Sequence, residues 1–157
     1  MAKPRLSDFS QVAEIVAAIA VVISLVYVGQ EVKRNTAAIQ GASLQAIATT
    51  DAETLIAVAS DASLSEVVRR GYEDPAQLDQ AEQFRFSLFM RNFWLSFQNI
   101  YQQRELQLLD ESVWQSYLTV ICGMKSRPGV QATWPGHAHI LDDSFAAVVE
   151  RCDETPP

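Results

Sequence analysis

The sequence predicts an all-α protein: an N-terminal transmembrane helix continuing into a small helical bundle. Three observations predict it. The run from Ile15 to Gly29 carries no charged residue. Downstream, apolar residues recur at three- and four-residue spacing, with Asp or Ser ahead of each group in the manner of helix caps. The β-branched runs are short and do not alternate, so no segment reads as a strand.

The first element follows a short tail, residues 1–8. Phe9 to Val28 spans 20 residues interrupted only by Ser10, Gln11, Glu14 and Ser24. At about 1.5 Å per residue that helix is roughly 30 Å long, enough to cross a bilayer core. A solvent-facing helix needs a polar stripe, and Ile15 to Val28 has none. Residues 9–29 are therefore read as a membrane span. Asp8 caps its start with Gln11 three residues on, Glu14 lies near that end, and Tyr27 falls near the other interface. A buried core helix and a cleaved signal peptide are the competing readings. The second lacks a small-x-small cleavage site before a mature domain. Small residues recur along one side at Ala13, Ala17, Ala20 and Ser24, a stripe on which another helix can approach closely.

Residues 30–152 read as the bundle. From Lys33 to Ser60 the chain is rich in Ala, Gln, Ile and Leu without proline, and continues the first helix; Gly41 need not end it. Ser63-Leu64-Ser65-Glu66 reads as a capping box for a helix ending at Gly71, and Glu73-Asp74-Pro75 as a turn. Asp79 with Glu82 opens a helix over Ala81 to Gln103, which holds seven of the aromatic residues. Phe86, Phe89, Met90, Phe93, Phe97 and Ile100 form one broad apolar face there. Asp110 caps Glu111 to Met124, which presents Val113, Trp114, Tyr117, Leu118 and Ile121 inward. Arg127-Pro128-Gly129 stops that helix, and a short turn from Val130 to Trp134 ends at Pro135-Gly136. Asp142 caps Ser144 to Cys152, and residues 153–157 read as a disordered tail.

Length and charge bound the function. The chain has 157 residues and a formal charge of −7, which suits one domain and argues against a nucleic-acid partner. Beyond residue 34 there are 8 basic and 16 acidic residues, so charge would not hold this body on anionic lipid. The expected partner is the lipid bilayer, through the first helix alone. Lys3 and Arg5 precede the span and Lys33 and Arg34 follow it, so basic residues do not fix its orientation.

Few residues suggest chemistry. His137-Ala138-His139 with Asp142-Asp143 is the only metal-like cluster, and no third-ligand spacing accompanies it, so it reads as a polar loop. Cys122 and Cys152 read as small core residues, able to pair in an oxidising compartment if their Cα atoms come within about 7 Å. The sequence has no phosphate-cradling glycine loop, nucleophile elbow or His-Glu-x-x-His motif. No catalytic, cofactor or metal residue is assigned. The expectation is a membrane-anchored interaction or accessory module that binds itself or another membrane protein. The alternative is a small-molecule sensor or enzyme using an interior beside Phe93, Phe97 and Trp114, with Arg91, Gln98 or Asn99 turned inward.

The stretch Ala18-Ile19-Ala20-Val21-Val22-Ile23-Ser24-Leu25-Val26-Tyr27-Val28-Gly29, with Gln30 and Lys33-Arg34-Asn35-Thr36, resembles the start of a family of uncharacterised bacterial single-pass membrane proteins. Arg85-Phe86, Phe97-Gln98-Asn99-Ile100-Tyr101, Leu109-Asp110-Glu111 with Trp114, and Pro128-Gly129-Val130 with Trp134 are similar too. The resemblance implies a helical domain on a bacterial inner-membrane anchor, with the bundle in the cytoplasm. It carries over no catalytic residue.

Overall fold

A computed structural model describes residues 6–153, with side chains from 13 to 152. Among the described residues there are helices and turns and no strand. The order is α1 (Leu6–Ser60), α2 (Ala62–Glu73), a 3-10 turn (Pro75–Gln77), α3 (Gln80–Glu105), α4 (Glu111–Lys125), α5 (Pro128–Ala138), α6 (Asp143–Glu150) and a closing 3-10 turn (Arg151–Asp153). The chain divides into two compact units, Met1–Gly41 and Ala42–Pro157, and α1 contributes to both. The caps expected from Asp8 and Gln11 lie outside the described side chains, as does the tail 153–157.

In the first unit the described residues are helical throughout. Every large apolar side chain from Ile15 to Val28 is 53–66% exposed. Leaving such a side chain in water costs about 2 kcal/mol. Over the ten side chains of the run, each more than half exposed, the burial forgone is on the order of 10 kcal/mol, comparable with the roughly 5–15 kcal/mol net stability of a whole domain. This helix is long and apolar enough to cross a membrane, and none of that stretch is buried within the chain.

In the second unit α3 is the central helix. Phe86, Met90, Trp94, Phe97, Ile100 and Tyr101 are buried on it. The expected aromatic face is present, but burial wraps further round the helix: Trp94 is wholly enclosed, while Phe84 stays 65% exposed. Around α3 the core is completed by Ile47 of α1, Val67 of α2, Trp114 and Ile121 of α4, Val130 and Trp134 of α5, and Phe145 and Val149 of α6. Aromatic edges lock the layers together. Trp94 of α3 meets Trp134 of α5 at 4.9 Å, and Phe97 of α3 meets Tyr117 of α4 at 6.1 Å, both edge-on.

Local signals explain most boundaries. Asp79 accepts from the Glu82 N–H while Glu82 accepts from the Asp79 N–H, a complete capping box. Asp142 accepts from the Ser144 N–H at the start of α6. Asp110 occupies the cap position of α4, though its side chain makes no capping bond. Asp74 accepts from the Ala76 N–H in the turn before α3.

Three boundaries differ from the sequence reading. The cap of α2 is Asp61, which accepts from the Leu64 N–H, rather than Ser63. The Asp61 carboxyl is held below the usual carboxylate range by that backbone bond first. Ser65, within the expected box, instead donates to the Val58 carbonyl at 2.5 Å. Helix α2 does not stop at Gly71 but runs to Glu73. Gly71 is there for contact with α3, since the Phe86 ring occupies the place a Cβ would take; on its other side a Cβ on Gly129 would lie 1.8 Å from the Gly71 carbonyl oxygen, so the α2 and α5 backbones touch. Helix α5 does not end at Pro135-Gly136. It begins with Pro128 at its first turn, carries Pro135 inside and ends at Ala138. Pro135 withholds one backbone donor, and the helix survives it by only three further residues.

Candidate functional site

The first candidate is the exposed apolar stretch of α1. Ala13, Ala17, Ala20 and Ser24 are all exposed there. Their spacing of four, three and four follows the roughly 3.6-residue turn of a helix, so the four lie along one side of α1. Glu14, at the edge of the run, is exposed too.

The second candidate is the bundle interior. Beside Phe93, Phe97 and Trp114 it is filled by rings: Phe93 packs edge-on to Trp94 at 5.6 Å, Phe97 lies 6.1 Å from Tyr117, and Trp114 lies 5.7 Å from Tyr101. Arg91 and Asn99 are exposed. Gln98 is half-buried, and its Oε1 accepts from the Asp142 N–H at 2.6 Å, so its side chain is spent on positioning α6. The second unit does have an open groove of about 320 Å³ between α1 and α3, lined by Ile47, Asp51, Ser96, Asn99 and Gln103 among others. Some of its polar groups are engaged, while the buried Gln103 Oε1 has no partner among the described residues. Asp51 accepts from the Tyr117 hydroxyl at 2.6 Å, and Gln103 donates to Asn99 at 2.7 Å. Burial first, and then the Asp51 carboxylate, pushes the Tyr117 phenol up to about 12.

The histidines do not converge. His137 is buried in the last turn of α5, whereas His139 is exposed just beyond it. Sequence reasoning placed both in a loop, because Pro135 read as a stop. Burial, aided by His139 and Arg91, holds the His137 imidazole below the usual histidine range. Asp142 is occupied by the Ser144 N–H and hydroxyl. Among the described residues no three His, Cys, Asp or Glu side chains come together as a metal would require.

The cysteines do converge. Cys122 near the end of α4 and Cys152 in the closing turn are joined as a disulfide, with Cα atoms 5.1 Å apart. Their distance is well inside the limit set for pairing. The buried Lys125 ammonium stands 5.7 Å from the Trp134 ring centre.

Comparisons of the chain with protein-family models, with curated proteins and with solved structures returned no match. The functional reading therefore rests on the chain's own residues.

Proposed function

We propose that this protein is a single-pass membrane protein of the bacterial inner membrane, whose helical domain acts by binding a second copy of itself or another membrane protein. One observation carries the reading: an apolar, charge-free helical run whose large side chains lie more than half exposed. Lipid tails are the solvent that such a surface fits. An anchor confines its domain to two dimensions and raises its effective concentration near other membrane proteins. Within the bilayer, Ala13, Ala17, Ala20 and Ser24 form the contact stripe.

Two measurements test this. The full-length chain is expected to stay with membranes through alkaline carbonate washing and to need detergent for release. Ala20→Leu is expected to weaken crosslinking between copies, or to a membrane partner, with the bundle's helical signal unchanged. Full-length protein that stays in the aqueous fraction defeats the anchor, and unaltered crosslinking in Ala20→Leu defeats the stripe.

A further inference from the structure

We infer that the second unit folds and works in an oxidising compartment outside the cytoplasm, where Cys122 and Cys152 are the substrate pair of a dithiol oxidant. The inference builds on the membrane-anchor reading and adds the side of the membrane. It reverses the cytoplasmic address that the resemblance implies.

The argument starts from the joined pair. Protein disulfides persist in the periplasm and outside cells, and are kept reduced in the cytosol. These two are the only cysteines in the chain, so no internal thiol can reshuffle or resolve the bond. An external acceptor has to take the electrons. The balanced step is thiol–disulfide exchange: the two thiols lose two protons and two electrons, the Cys122–Cys152 bond forms, and the carrier's disulfide breaks to a dithiol.

The surroundings suit that step. Cys152 is half-buried in the closing turn, while Cys122 is only 8% exposed. Cys152 is therefore the sulfur that a carrier meets first. A surface groove reaches the pair, lined by Tyr101, Arg104, Trp114 and Arg151 among others. Arg104 on its wall is paired with Glu105 and Glu111, so it is the Arg151 guanidinium that favours the thiolate, the form that attacks a disulfide. Basic residues do not oppose this orientation, since Lys3 and Arg5 before the span balance Lys33 and Arg34 after it. The acidic excess beyond residue 34 contributes little to the choice of side.

The test uses the full-length chain in the membranes of a Gram-negative host. Cells are quenched in acid, free thiols are blocked, and the protein is then reduced and treated with a mass-adding maleimide. The expected result is no thiol open to blocking before reduction and two added masses afterwards. In a host lacking its periplasmic dithiol oxidase, both thiols are expected to be blocked at the first step. A second variant leaves the pair intact: Gln131→Cys, at an exposed position on α5, is expected to react with a membrane-impermeant maleimide on cells with a permeable outer membrane and a sealed inner one. Both cysteines free in ordinary cells, or Gln131→Cys labelled only after lysis, overturns the inference. Carbonate washing of the same samples separates the two claims. A chain that washes off loses its anchor, while its thiol state still reports its compartment.

Discussion

Gly129→Ala adds one methyl group where two backbones meet. The new Cβ would sit 1.8 Å from the Gly71 carbonyl oxygen and 2.9 Å from carbonyl carbons of Gly71 and Tyr72. Ordinary contact begins near 3.4 Å, so α2 and α5 must separate by about 1.6 Å. Overpacking of a core costs about 1–3 kcal/mol where side chains can yield. Here the obstacle is backbone, and a loss of about 3 kcal/mol or more is expected. For a domain of this size, at about 4 °C per kcal/mol, the melting midpoint falls by roughly 12 °C. Gly123→Ala is the matched control, since a Cβ there meets nothing within 4 Å and the residue is exposed in α4. It should stabilise by about 0.5–1 kcal/mol through helix propensity, raising the midpoint by roughly 2–4 °C. Tryptophan fluorescence of the full chain in mild detergent reads both effects. The protein has 3 Trp residues, and Trp94, Trp114 and Trp134 are all buried in the second unit. A Gly129→Ala midpoint within about 2 °C of the parent would refute the claim that these backbones touch.

Three further outcomes are expected. Gln107→Gly should raise stability by about 0.5–1 kcal/mol in urea unfolding, because Gln107 holds φ at 59° where glycine bears no steric cost. Tyr117→Phe should lose about 1–2 kcal/mol by removing the hydroxyl that Asp51 accepts at 2.6 Å, and Asp51→Asn should lose less because its amide oxygen still accepts. Acid should loosen the bundle through His137. Its folded imidazole is depressed mainly by burial, so just below pH 6.5 the unfolded chain binds more protons than the folded one. That share of stability is full above about pH 6.5 and declines as pH falls through the window beneath it. Melting curves between pH 7.5 and 5 should therefore slope less for His137→Phe than for the parent, and equal slopes would remove His137 as the cause.

At α3, α6 and the turn before α3 the sequence shows the side chains that start the element, though at α2 it pointed to Ser63 and missed Asp61. Asp79 with Glu82, Asp74, and Asp142 are short-range devices whose partners lie within three residues. The all-α class and the exposed apolar run follow equally directly from period and charge. Helix ends were harder to read. Helix α3 closes with the Leu108 N–H donating to the Gln103 carbonyl and the Gln107 N–H to that of Arg104, a left-handed closure usually marked by glycine. Gln107 fills that position, so no residue type announces it. Gly71 misled for the opposite reason: its small size makes room for the Phe86 ring of α3 rather than ending the helix. Pro135 read as a stop, yet packing of Trp134 and His137 on either side keeps α5 wound past it. The cysteine pair became legible only when residues separated by 30 positions were brought together in space.

The bond between Cys122 and Cys152 encloses the whole of α5 and α6. Hydrolysis of one peptide link anywhere inside that loop would release nothing. Both pieces would travel as a single band on a denaturing gel until a reducing agent parted them. A nick at an exposed position such as Gln131 is thus invisible on a denaturing gel run without reductant, and the C-terminal helix keeps its attachment to α4 even after the connecting chain is severed.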